Sequence, residues 1–257
     1  MKTRFSTLTA CHVAAILAGA APGAAASPSD PLALSPRAQA LACAPRTLES
    51  RSPAPRVLAG RDRATKGMFG PGDTIVLDAS TGTPMASGQV LVVYRRPRSA
   101  VSEGRDALVR RAAQNAGLVR VDAVSGKTAT ATVVWACDGI QVGDRLEPYK
   151  APESAPEAAA AGGPPRFDQA TRVAFGGQDR RLGAARDLML VVRASGLDVA
   201  VGQRVVFFRR PFGADGPTSI VGDGVVQVVS DETYLVEITS SKDAISAGDL
   251  VAASGPA

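Results

Sequence analysis

Histidine is almost absent from this sequence. Its one copy, His12, lies in an amino-terminal stretch that reads as removed from the mature chain. Without imidazole a protein cannot assemble a Ser-His-Asp or Cys-His nucleophile, and most zinc sites beyond Cys-only or carboxylate sets are excluded as well. Lysine is scarce too, confined to Lys2, Lys66, Lys127, Lys150 and Lys242, so the formal net charge of +5 rests mainly on arginine. Arginine is a planar cation suited to bidentate contacts with carboxylate or phosphate. Aromatic residues make up 4% of the chain, few for stacking on bases, which argues against nucleic acid as a partner. Beyond the amino terminus no stretch reaches the ~20 apolar residues that a membrane-spanning helix needs.

The amino terminus carries a compartment signal. Lys2 and Arg4 form a basic start, residues 10–21 are almost wholly apolar or small, and Ala24-Ala25-Ala26 precedes Ser27. This pattern predicts a signal peptide over residues 1–26, cleaved near Ala26, and a periplasmic or secreted, mildly basic mature protein. Cys11 leaves with the signal, and Cys43 and Cys137 remain. In an oxidising compartment they are expected to pair with each other, with free thiols or an intermolecular bridge as the alternatives. Such a long closed loop stabilises by roughly 4–5 kcal/mol in the chain-entropy model.

What the chain does have is an internal repeat. Residues 88–97 read GQVLVVYRRP, and residues 202–211 read GQRVVFFRRP. Around these anchors further landmarks return in the same order: RVLAG at 56–60 against RVAFG at 172–176, and Gly143-Asp144 against Gly248-Asp249. Matching landmarks with a drifting offset indicate a duplicated unit with altered loops. Each unit spells short β-prone runs separated by Gly, Ser and Asp turns: 74–79, 89–95, 118–124, 128–135 and 145–149 in the first, and their counterparts in the second. The expected fold class is all-β, two tandem small barrels of about five strands each, SH3-like or OB-like. The expected domains are an extended Pro/Ser/Ala-rich tether at 27–55, repeat 1 at 56–149, a linker at 150–167 and repeat 2 at 168–257. The linker, rich in Pro, Ala and Gly, is expected to be flexible at Gly162-Gly163 and to leave the barrels independently oriented. One helix is expected at 103–115, with Ser102 as N-cap and Gly117 as its stop.

The candidate binding residues are the arginines of the Arg-Arg-Pro corners: Arg95, Arg96 and Arg98, with Arg209 and Arg210 in the second unit. Clustered arginine favours anionic polymers, such as glycan, lipopolysaccharide or nucleic acid. Adjacent residues of a strand point to opposite faces, so at most one arginine of each pair need meet a ligand. Asp144 and Asp249 read as turn formers rather than a catalytic pair, because they occupy equivalent places in separate units. No catalytic residue, metal ligand or cofactor site emerges, and the expectation is a non-enzymatic protein.

The run GQxxxxxRRP, then GxxxV, then Cys/Lys-Asp-x-Ile-x-x-Gly-Asp resembles the uncharacterised exported bacterial β-repeat proteins often found with peptidoglycan-binding LysM modules. It is similar, more loosely, to the carboxy-terminal barrel of the flagellar assembly protein T family. The resemblance implies an envelope role, binding or scaffolding a protein assembly or a cell-wall polymer. The chain itself has no LysM repeat, and the resemblance carries over no catalytic residue. A carboxylate-based hydrolase is the remote alternative.

Overall fold

A computed structural model describes residues 34–48, 53–61, 66–82, 84–96, 112–151, 162–177, 180–194, 197, 199–213 and 215–255. The expected signal peptide, Arg98 and residues 103–111 of the expected helix lie outside them.

A helix, α1 (Pro36–Ala42), and a strand, β1 (Pro45–Thr47), come first. The first unit follows as β2 (Val57–Gly60), β3 (Met68–Phe69), β4 (Thr74–Asp78), β5 (Val90–Arg95), β6 (Ala112–Ser125), β7 (Thr128–Ala136), β8 (Ile140–Gln141) and β9 (Arg145–Pro148). The second comprises β10 (Thr171–Gly176), β11 (Leu182–Gly183), β12 (Leu188–Val192), β13 (Arg204–Arg209), β14 (Ser219–Val229), β15 (Thr233–Ser241), β16 (Ile245–Ser246) and β17 (Leu250–Ala253).

Both units use one strand order. The first is β2-β4-β7-β6-β5-β9, and the second is β10-β12-β15-β14-β13-β17, closed into a barrel where β10 pairs with β17. In each, three hairpin-connected strands run as a meander and the strand before them lies beside the last, which is Greek-key connectivity. The first sheet curls without full ladder closure. Across its gap Arg56 bridges Arg145, and the Val57 amide donates to the Asp144 carbonyl at 2.9 Å. The expected five strands per unit are therefore six, because RVLAG and RVAFG are themselves strands.

The strands are launched by one repeated turn. At 70–73, 86–89 and 141–144, and again at 184–187, 200–203 and 246–249, the fourth amide donates to the first carbonyl at 2.9–3.1 Å. The fourth side chain then accepts the first amide: Asp73, Gln89 and Asp144 in one unit, Asp187, Gln203 and Asp249 in the other, at 2.7–3.0 Å. The third residue has positive φ, and it is glycine in five of the six turns. The sixth is Arg186, at φ 75°. A left-handed conformation costs an L-residue roughly 1–2 kcal/mol, and the Arg186 side chain is exposed. Arg186→Gly is therefore expected to stabilise the protein by about 1 kcal/mol and raise Tm by about 2–4 °C in a thermal melt; a lowered Tm contradicts this reading of the turn.

Alternation within the strands fills two cores. In the first, Ile75, Leu77, Val93, Val119, Val133 and Ile140 pack inside; in the second, Met189, Val191, Phe207, Val226, Tyr234 and Ile245 do. The two units differ on their outer faces. Residues Thr74, Val76 and Asp78 of β4 face outward, whereas β12 turns Leu188 and Leu190 outward and Leu190 is buried. A continuous apolar run marks a strand buried on both sides. What covers β12 is the segment that precedes the first unit.

That segment corrects the expected tether. Ser35 caps α1, its hydroxyl accepting the Ala38 amide at 3.2 Å, with Pro36 in the first turn. Leu41 and Ala44 then join Ala112, Phe175, Leu190 and Leu235 in a third apolar cluster, which lies between the units. Strand β1 pairs with the start of β6, and the Thr47 hydroxyl lies 3.3 Å from that of Thr233 in β15. The barrels are thus packed through a shared wedge, not independently oriented. The wedge is stapled: Cys43, at the end of α1, is bonded to Cys137 after β7, and the Trp135 indole donates to the Cys43 sulfur at 3.3 Å.

Two further expectations change. Residues 112–115, expected as the end of a helix, begin the strand β6, held between β1 and β5. Gly117, expected to stop that helix, lies inside β6, where an added Cβ would come within 2.3 Å of the Trp135 carbonyl. The end of the expected linker is also tied down, with the Gly163 amide donating to the Gly255 carbonyl at 2.9 Å and the Arg166 amide to Ala253 at 3.0 Å.

Candidate functional site: a cleft between the barrels

The Arg-Arg-Pro corners resolve into two kinds of arginine. In the second unit the Arg209 fork holds both oxygens of Asp249, Nε to Oδ1 at 2.7 Å and Nη2 to Oδ2 at 2.9 Å. It also reaches Asp243 at 2.6 Å and the Ala244 carbonyl at 2.5 Å. In the first unit Arg95 meets Asp144 at 2.8 Å, the Gly139 carbonyl at 2.5 Å and Asp138 at 3.9 Å. The three arms are equivalent in the two units. The motif Asp-x-Ile-x-x-Gly-Asp is therefore a clasp: both aspartates and the intervening carbonyl receive the arginine, and Ile140 or Ile245 anchors the loop in the core. Asp144 and Asp249 are 6% and 7% exposed, so their partners matter.

This redirects the anionic-polymer expectation. Arg95 and Arg209 are committed to their own units. Arg96 is exposed, while Arg210 is half-buried, donates to the Phe167 carbonyl at 3.0 Å and lies over the Phe208 ring. Asp144 and Asp249 are the turn formers expected from the sequence, and each is engaged by its own unit's arginine. Among the described residues no group of three or more His, Cys, Asp or Glu could hold a metal ion, and no helix is long and apolar enough to cross a membrane.

Two carboxyls at non-equivalent positions of the clasps are shifted in opposite senses. Burial raises the Asp144 carboxyl above its ordinary 3.8 despite its hydrogen bonds. Asp243 is lowered, first by the Ala244 amide and then by Arg209. For Asp144 the associated stability is fully present below 3.8 and is lost as pH rises through its folded pKa. For Asp243 it is present above 3.8 and is lost as pH falls through its lower folded pKa. Carboxyl carbon NMR titration is expected to put the Asp144 midpoint above 3.8 and the Asp243 midpoint below it; the reverse order contradicts these environments.

A concavity of about 690 Å³ lies elsewhere. Its floor is the outer face of β5, β9 and the start of β6, extended by β1, and its opposite wall is formed by residues of β12, β14 and β15. Register explains which side chains meet on the floor. Arg46 is paired with Ala113, and Tyr94 with both Asn115 and Arg145, so these residues share one face. The Arg46 guanidinium lies over the Tyr94 ring at 5.0 Å and pairs through Nη1 with Glu147. Asn115 donates its amide to the Ala42 carbonyl at 2.9 Å. Burial pushes the Tyr94 hydroxyl up, and also that of Tyr149 at the cleft's edge.

Sequence reasoning missed this site, because Arg46 comes from the expected tether and Asn115 from the expected helix, and neither was placed beside the strands that carry Tyr94 and Glu147. No family model and no curated protein matches the chain. What the cleft can do follows from its geometry. It is a mixed apolar and polar concavity of small-molecule or peptide size, at a junction that the disulfide holds together.

Proposed function

We propose that this chain is a non-enzymatic binding or scaffolding module of the bacterial cell envelope, exported by the signal at 1–26, which takes its partner in the cleft between two duplicated barrels. The observation that carries the proposal is the cleft itself, built by a stapled wedge that neither barrel needs for its own core. The shared strand order and the repeated clasp support duplication. The disulfide fits an oxidising compartment. Commitment of Arg95 and Arg209 to internal clasps favours the cleft over the arginine corners as the contact surface. The partner is an envelope protein assembly or a cell-wall polymer, in keeping with the resemblance to exported β-repeat proteins.

The test is capture from detergent-solubilised envelope by the tagged mature chain, comparing the wild type with Ser230→Trp, which fills the cleft from the second unit's wall. A defined partner that survives high salt and is lost on that substitution is expected. Capture unaffected by Ser230→Trp, or turnover of a glycan or peptide that depends on one carboxylate or serine, overturns the proposal.

A further inference from the structure

A separate cavity, of about 200 Å³, borders the wedge. It is lined by both cysteines of the staple together with Arg180, Arg186, Asp187 and Met189. Cys43 and Cys137 are each half-buried, so the bond between them is not sealed in a core. The acids nearby are engaged. Asp187 accepts the Ala184 amide through Oδ2 at 2.9 Å and holds Oδ1 3.6 Å from Arg180, while Asp138, which follows Cys137, lies 3.9 Å from Arg95. Arg180 and Arg186 are both exposed, so the cavity carries two guanidinium groups at its surface against one paired carboxylate. Arg186 is also the residue that departs from glycine at the positive-φ position of the six strand-launching turns. A strained backbone at a single departure from a repeated pattern points to a local function. Here it brings to the cavity a charge that glycine would not.

We infer that the Cys43–Cys137 bond is an exchange site for a small thiol that carries a second anionic group, a carboxylate or sulfonate, which Arg186 and Arg180 attract. The thiolate attacks Cys137 Sγ. A new sulfur–sulfur bond forms there, the bond to Cys43 breaks, and its electron pair leaves on Cys43 Sγ, which then takes a proton from water. Exchange is faster when the leaving sulfur is the better stabilised anion. Cys43 Sγ fits that role, because the Trp135 indole N–H already donates to it at 3.3 Å, and a hydrogen bond to the charged form favours that form. The product is a mixed disulfide on Cys137 with the end of α1 unstapled. Leu41 and Ala42 of α1 line the larger cleft, so the modification acts on the segment that shapes it. The exchange itself does not depend on what that cleft binds.

The test exposes the oxidised full mature chain, in native buffer, to excess 2-mercaptoethanesulfonate or to the neutral 2-mercaptoethanol. Samples are quenched in acid, and loss of the bond and the site of the adduct are read by intact mass and peptide mapping. Per thiolate, the sulfonate is expected to react at least about threefold faster, the Coulomb advantage of one charge pair about 6 Å apart in water. That advantage is expected to shrink at high salt. The first adduct is expected on Cys137, with Cys43 as the free thiol. Arg186→Gly, the variant expected to stabilise the fold, should bring the two thiols to within about twofold of each other, because the charge is gone while the cavity and Arg180 remain. Equal rate constants for the two thiols in the wild type, a ratio unchanged in Arg186→Gly, or a first adduct on Cys43 overturns the inference. Rates independent of thiol concentration overturn it too, since the bond would then be reached only by opening of the fold. None of these results bears on envelope capture through the cleft, which Ser230→Trp tests separately.

Discussion

Reducing the Cys43–Cys137 bond is expected to lower stability by roughly 4–5 kcal/mol, the chain-entropy value for a loop of this length, with residues 94 apart in sequence. The bond joins the end of α1 to the turn after β7, so it restrains the unfolded chain and also pins the wedge that fills the space between the barrels. Without it, the segment around Leu41 and Ala44 is held by the apolar cluster with Ala112, Phe175 and Leu190, by the short β1 ladder, and by the Asn115 and Gln114 side-chain amides on the Ala42 and Cys43 carbonyls. The measurement is denaturant unfolding of the oxidised protein, the reduced protein and the Cys43→Ala/Cys137→Ala variant. Both altered forms should lose similar stability, and Trp135 fluorescence should change because its indole donates to the Cys43 sulfur. A loss below about 1 kcal/mol would show that the wedge is held without the staple.

The second large effect is expected from the clasp. Arg209→Ala should cost about 2–3 kcal/mol, somewhat less than the roughly 3–5 kcal/mol for breaking a fully buried pair, because the Arg209 side chain is partly exposed. Its removal leaves the Asp249 carboxylate, 8% exposed at its side chain, with the Ser246 amide as its remaining donor among the contacts of the clasp. It also releases the Ala244 carbonyl and Asp243. Arg95→Ala should act in the same sense in the first unit. Asp144→Asn should cost less than Arg95→Ala, since burial disfavours the charged carboxyl there and asparagine still offers an oxygen to the Gln141 amide. Thermal melts of the four proteins, wild type included, decide the matter. Arg209→Ala melting like the wild type would mean that the corner is a solvated surface feature.

Much of the strand layout was legible because it rests on local signals. The glycine and Asp or Gln that precede β4, β5, β9, β13 and β17 are the third and fourth residues of one turn, so Gly88-Gln89, Gly143-Asp144 and their repeats mark real boundaries. The sixth strand of each unit escaped because RVLAG and RVAFG are too short to show a period. The first segment was misread for a different reason. Its Pro, Ser and Ala content suggested an extended chain, although Ser35-Pro36 is a helix start with a mechanism, a capping hydroxyl followed by a preset φ. At 112–115 the letters AAQN have weak β-propensity, and pairing with β1 on one side and β5 on the other overrides it. The two-sided burial of β12 was visible in LMLVV against TIVLD, a contrast that hinted that β12, unlike β4, is covered on its outer face. The clasp was half legible, since Arg-Arg-Pro and Asp-x-Ile-x-x-Gly-Asp recur together, but their contact depends on closure of the sheet. The cleft was not legible, because Arg46, Asn115 and Glu147 share a face only through registers set by tertiary pairing.

Everything proposed for the cleft requires the two barrels to be held as one body by the stapled wedge. Residual dipolar couplings from backbone amides of β4, β5 and β7 and of β12, β13 and β15, collected on the oxidised mature chain, measure this directly. A single alignment tensor should fit both sets, and the fit should separate into two tensors after reduction of Cys43–Cys137. Two different tensors in the oxidised protein would mean that the barrels move independently and that the cleft is not a fixed site.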